Sequence, residues 1–292
     1  MSDINVRLAV MAGRARQAFA AQQAARPRVD VPVEVFAEYK AATRAGETRV
    51  LFCSPGGRDL PVFVNFHGGG FVMGSADDDD VYCRRLANAA GCAVVNADYR
   101  LAPEHKFPAA VEDCYDVVRW VHGNAAALGV DPARIAVGGH SAGGNVAAAL
   151  CLLAREKREF PLVFQVLDYP PLDLSVDPYK KGTQDKMLTP KAQTFFDDCY
   201  FNSPADAFNP LVSPLLAADL AGLPPALVIA AEYDPLRAEE ERYAQRLAAA
   251  GVAVTFRLFA GCSHAFTHFG PEAAADEAWA LIASKLREAF LK

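Results

Sequence analysis

IAVGGHSAGGNVAAA, residues 135–149, passes from an apolar run through glycines to a serine and on into an alanine-rich segment. The apolar run has the composition of a buried strand and the alanines favour a helix, so the glycines mark a sharp strand-to-helix turn. That turn holds Gly139-His140-Ser141-Ala142-Gly143, a G-x-S-x-G pattern. Glycines are needed on both sides because a side chain there would strike the adjoining strand and helix. Ser141 is thereby presented above a sheet edge, and the Ala142 N–H, first in the helix, is free to stabilise a developing oxyanion.

Outward from this turn the chain alternates. Strands are expected over residues 48–53, 61–66, 92–97, 162–167, 226–231 and 252–259, and helices over 79–90, 109–128, 189–201, 236–250 and 272–291. Two helices, 6–25 (stopped by Arg26-Pro27) and 32–42, are expected before the first strand. Phe36 and Tyr39 in the second have helical spacing and are expected to pack, with lining a cavity as the alternative. Repeated strand–helix alternation implies a mostly parallel sheet with helices on both faces. The alternation breaks between 171 and 214, a turn-rich stretch carrying Phe195, Phe196, Tyr200 and Phe201, which fits a lid over a site.

A chain of 292 residues, 52% of them apolar, buries a large core, and its net charge of −6 speaks against nucleic acid or an anionic membrane as partner. Residues 1–25 lack the apolar core and cleavage pattern of a leader, and no apolar run is long enough to span a bilayer. A cytoplasmic protein is expected. Seven cysteines without a C-x-x-C suit reduced thiols better than disulfides or a zinc site.

A serine hydroxyl is a weak nucleophile and needs a base, which in turn needs an orienting acid. Asp234 follows the strand 226–231, and His264 follows the last strand, the ends where open α/β sheets build their sites. Asp234 also suits capping of the next helix, a compatible role. His268 is a rival base. Directly after the strand 61–66 comes His67-Gly68-Gly69-Gly70-Phe71, whose glycine amides can approach a ligand closely. His67 reads as a support for that loop. The run Asp77–Asp80 suits the start of a helix, where acidic side chains oppose the dipole, better than a metal site. His264 and His268 lack the supporting ligands of a metal pair.

With these residues in place the chain, from Pro61 onward, resembles the hormone-sensitive lipase family of α/β-hydrolase carboxylesterases. His67 to Phe71 match its HGGG signature, Tyr99 to His105 its YRLAPEH segment, Gly139 to Gly144 its GDSAGG elbow, Asp234 to Arg237 its DPLR segment and His264 to Phe266 its HGF. The resemblance implies an α/β-hydrolase fold with a helical cap, divided as cap helices 1–45, core 46–170, cap insertion 171–214 and core 215–292. It implies nucleophile Ser141, base His264, acid Asp234 and oxyanion donors Gly69, Gly70 and Ala142. The expected activity is hydrolysis of a small-molecule ester through an acyl-enzyme, on short to medium acyl chains, with no metal or organic cofactor. Relatives often pair, so a homodimer is implied. Amide or lactone hydrolysis by the same triad, and a non-catalytic small-molecule receptor on this scaffold, are the alternatives. Three positions depart from the family: His140 for Asp, Ala238 for Asp and Ala265 for Gly. His140, beside the nucleophile, is expected to alter pH profile or substrate range.

Overall fold

Apolar strands and one-sided helices assemble into a single eight-stranded sheet, which the computed structural model describes for residues 3–26, 29–182 and 185–291. The elements in order are α1 (Asp3–Ala24), β1 (Val35–Thr43), β2 (Gly46–Ser54), β3 (Leu60–Phe66), α2 (Ala76–Ala90), β4 (Ala93–Ala97), α3 (Ala109–Gly123), α4 (Ala125–Leu128), β5 (Val130–His140), α5 (Ala142–Lys157), β6 (Phe164–Asp168), α6 (Pro190–Tyr200), β7 (Ala226–Ala231), α7 (Arg237–Ala249), β8 (Val254–Phe259), α8 (Phe266–Phe269) and α9 (Glu272–Phe290). Three short 3₁₀ turns punctuate the stretch on either side of α6. Pro27, the expected stop of the first helix, lies outside the described residues, as do residues 183 and 184 within the expected cap insertion.

The strand order is β1-β2-β4-β3-β5-β6-β7-β8, with β2 antiparallel to both of its neighbours and every other pair parallel. Alternate residues of each strand enter different cores. Val62, Val64 and Phe66 of β3 pack in the layer that holds α3 and α5, while Phe63 packs with Leu86 of α2 and Ile282 and Leu286 of α9. Both faces of the central strands are therefore dry, which is why those strands read as continuous apolar runs. The parallel strands all end on one side, so the loops after β3, β5, β7 and β8 open beside one another.

Residues 35–43 are not the second helix expected over 32–42. They form β1, an edge strand paired with β2 from Val35↔Ser54 to Thr43↔Gly46 through a tight turn at Arg44-Ala45. Tyr39 packs on Phe52 and Trp120, and Phe36 lies 46% exposed beneath the Arg84 guanidinium. Helical spacing of two aromatics was outweighed by nine residues of ladder pairing, a gain that local pattern does not register. Among the described residues of 1–45, then, α1 and the connection 29–34 lie outside the strands. The helix expected over 109–128 is interrupted at Asn124, and the short α8 was not foreseen.

Around the turn at Ser141 the packing leaves no space for a Cβ. On either Gly139 or Gly143 it would run into the Phe66 carbonyl oxygen at the end of β3, whereas Gly13 in α1 has nothing within 4 Å. Gly143→Ala is expected to destabilise the protein by about 2–3 kcal/mol through overpacking against backbone. Gly13→Ala, by helix propensity alone, should stabilise it by up to ~1 kcal/mol. Urea unfolding of the two variants checks both signs.

Candidate active site

β5 ends at His140 and α5 begins at Ala142, leaving Ser141 alone in the turn with φ 51° and ψ −121°. A non-glycine residue held there costs roughly 1–3 kcal/mol, and the surroundings enforce it. The Ser141 N–H donates to the Asp168 carbonyl at 2.8 Å, and its own carbonyl accepts the Asn145 N–H at 3.1 Å. So held, Ser141 Oγ lies 2.9 Å from His264 Nε2, and His264 Nδ1 lies 2.6 Å from Asp234 Oδ2. Asp234 reaches the imidazole from the loop after β7, and its other oxygen accepts the Leu236 N–H at 2.9 Å just before α7. Orienting and capping thus occupy one oxygen each. The Asp234 carboxylate keeps the proton on Nδ1, which leaves the Nε2 lone pair for the serine hydroxyl. Burial works against a charged His264, yet Asp234, with smaller contributions from Asp185 and Asp168, more than offsets it, and the imidazole is raised above its ordinary pKa.

The loop after β3 brings Gly69 and Gly70 to the same place. Their φ values of 120° and 61° are open to glycine but strained for other residues, and among the described residues no acceptor takes either N–H. Ala142, the first residue of α5, contributes an N–H that has no partner inside the helix. His67 supports this loop: Nδ1 donates to the Gly68 carbonyl at 2.8 Å and the ring stacks on Tyr99 at 4.3 Å.

His268, the rival base, is turned elsewhere. Its Nδ1 lies 3.0 Å from the Tyr169 hydroxyl, its Nε2 lies 3.4 Å from Asp79, and its ring stacks on His140 at 3.8 Å. The four aspartates of the acidic run separate in the same way. Asp77 pairs with Arg49, Asp78 accepts from Ser75 and Asp80 pairs with Arg84, all around the first turn of α2. Asp79 alone points inward, 3% exposed, and meets His140 and His268. Sequence reasoning took the run as one feature. The missed signal is that Asp79 shares the inward stripe of α2 with Ala76, Cys83, Leu86 and Ala90. Asp185 was also missed: this buried carboxylate in the stretch before α6 accepts the backbone N–H groups of His264, Met187 and Leu188.

Ser141 and His264 open into a cavity of about 360 Å³ whose wall is mostly apolar. Phe19 comes from α1, Phe196 from α6, and Leu174 and Leu188 from the segments between β6 and α6. Asp197, also on the wall, is pushed up to about 7 by burial against the pull of Lys181. Phe36 and Tyr39 do not reach this cavity. All seven cysteines are buried free thiols, and no helix among the described residues is long and apolar enough to cross a membrane.

Comparison with known proteins bears on the family and the fold. Residues 63–268 match the Abhydrolase_3 model, described as an alpha/beta hydrolase fold. The chain is 38% identical over 275 residues to an arylesterase of Saccharolobus solfataricus, a match covering 88% of each. It superposes on an esterase of Pyrobaculum calidifontis with a TM-score of 0.87 at 41% identity, covering 96% of this chain and 92% of that one. EstE1, a thermostable carboxylesterase from a metagenomic library, gives 0.87 at 39% identity over 97% of both. With its motifs, its sheet order and these relatives in agreement, the chain belongs to the Abhydrolase_3 family of the alpha/beta hydrolase fold, the hormone-sensitive lipase type of carboxylesterase.

Proposed function

We propose that the protein is a serine carboxylester hydrolase in which Ser141 is the nucleophile, His264 the general base and acid, and Asp234 the orienting carboxylate. The observation that carries this is the unbroken contact from Asp234 through His264 to Ser141, at 2.6 and 2.9 Å, opening into an apolar cavity. Ser141 Oγ attacks the ester carbonyl while His264 Nε2 takes its proton, and Asp234 stabilises the imidazolium that forms. The carbonyl oxygen, now an anion, lies against the N–H groups of Gly69, Gly70 and Ala142, each worth about 3 kcal/mol. Collapse expels the alcohol, which receives the proton from His264. Water then attacks the acyl carbon as the same nitrogen takes its proton, and collapse breaks the bond to Ser141 Oγ, which receives that proton as the acid departs. A cavity of about 360 Å³ suits acyl groups of short to medium length. The segments 1–24 and 171–214 act as the cap that sets this room, since α1 and α6 furnish much of its wall. Seven buried thiols and an acidic surface fit work in the reducing cytoplasm.

Replacing Ser141 with Ala is expected to lower turnover of a p-nitrophenyl acyl ester by about 10⁵-fold, and residual activity near the parent's would reject the assignment. His264→Ala should lose about 10⁴-fold or more, while His268→Ala, remote from the hydroxyl, should lose far less in the same assay. The base must be neutral to accept a proton, so kcat/KM rises with pH through the His264 pKa. Because that pKa is raised, the midpoint of the acid limb is expected above about 6.5, measured with an ester that does not itself titrate.

A further inference from the structure

Behind the nucleophile lies a second group of ionisable side chains that the ester chemistry does not use. His140 Nε2 is 3.0 Å from the Gly68 N–H. An imidazole nitrogen accepts only when bare, so the His140 proton sits on Nδ1. That nitrogen makes no hydrogen bond but faces Asp79 Oδ2 at 3.5 Å, a contact of charge with N–H dipole. Asp79 is kept in place by Asn65, whose amide donates to it at 2.8 Å, and by His268 Nε2 at 3.4 Å. His268 supports the His140 ring from one face, with centroids 3.8 Å apart and planes at 27°. Rings so nearly parallel set these two nitrogens side by side, Nδ1 of His140 before Asp79 Oδ2 and Nε2 of His268 before Asp79 Oδ1.

Gly68 lies on the imidazole so closely that an added Cβ would stand 2.6 Å from it. Its N–H is held by His140 and its carbonyl by His67, at 2.8 Å. In a planar trans peptide the C=O of one residue and the N–H of the next point in opposite directions. Fixing the Gly68 carbonyl on His67 therefore turns the Gly69 N–H the other way, and fixing the Gly68 N–H on His140 removes that amide from the set facing the oxyanion.

We propose that His140 is a positioning residue for the oxyanion loop, clamping the Gly68 amide so that the Gly69 and Gly70 amides are presented to the reacting carbonyl, with Asp79 and His268 fixing its tautomer and plane. This rests on the function proposed above. Burial pushes the His140 imidazole down to about 3 against the attraction of Asp79, so Nε2 stays bare wherever the enzyme works. Burial also opposes the charge on Asp79, but the surrounding histidines hold its carboxyl below the usual range, and it remains a carboxylate.

Deleting the ring outright, as in His140→Ala, would confound packing with hydrogen bonding, so the test compares two amides. In His140→Gln the side-chain oxygen reaches about as far as Nε2 and can accept from Gly68, whereas in His140→Asn it stops at the level of Nδ1. Gln is expected to keep kcat within about threefold of the parent. Asn should lose about 10- to 100-fold in kcat with KM within about twofold, since a misaligned donor is felt at the transition state. Affinity for a trifluoromethyl ketone, which forms the tetrahedral adduct on the serine, should fall by a similar factor in Asn alone. Thermal midpoints, expected within a few degrees of each other, separate this from loss of fold. Equal kinetics for Gln and Asn, or a loss confined to KM, would overturn the proposal. If the parent shows no Ser141-dependent ester turnover, the proposed function itself fails; if it does and the two amides behave alike, only the role of His140 falls.

Discussion

The Phe66 carbonyl oxygen sits so close to Gly139 and Gly143 that neither can carry a side chain, and the rest of the site depends on that approach. It joins the end of β3 to both sides of the turn at Ser141. Because the glycine loop starts just after Phe66, its amides are delivered beside Ser141 without any long-range search. Parallel pairing then does the rest: β5 flanks β3, and β7 and β8 follow beyond β6, so Asp234 and His264 leave the sheet on the same side. The positive φ of Ser141 is the cost of this geometry, and the contacts from Asp168 and Asn145 hold it.

Around this centre the protein buries many carboxyl groups, and it treats them in two ways. Some stay paired: Asp113 with Arg100 at 2.7 Å, Asp116 with Arg44 at 2.8 Å and Glu239 with Lys181 at 2.8 Å. Others keep their protons. Burial pushes Asp168 up to about 8 despite the Thr267 hydroxyl, and Glu240, with no hydrogen-bond partner on either oxygen, goes well above the ordinary range. An unpaired carboxylate in a dry core costs several kcal/mol, so protonation is the cheaper course. Asp234, at 2.6 Å, is the carboxylate that hydrogen-bonds the imidazole of His264.

Much of this was legible because the chemistry sits in short segments at strand ends. Ser141, Asp234, His264, Gly69, Gly70 and Ala142 each carry a local mark, a glycine string or a strand followed by a polar turn, that survives without knowledge of the neighbours. The Asp79, His140 and His268 group carries no such mark, since its members come from α2, the end of β5 and α8 and meet only after the sheet has formed. An aspartate on an otherwise apolar helical stripe announced that a partner was needed, though not which one. β1 was misread for a similar reason: Phe36 and Tyr39 have helical spacing, and the pairing with β2 that decides the matter lies in the neighbouring strand.

Asp185 ties the backbone of His264 to the stretch ahead of α6, with the Met187 and Leu188 amides gathered on its other oxygen. The cavity wall ahead of α6 and the imidazole of His264 are therefore one mechanical unit. Grafting a relative's segment over residues 171–214 would disturb His264 along with the pocket. On the proposed function, selectivity and turnover would be inherited together, and a redesign of one would need a replacement for that single carboxylate.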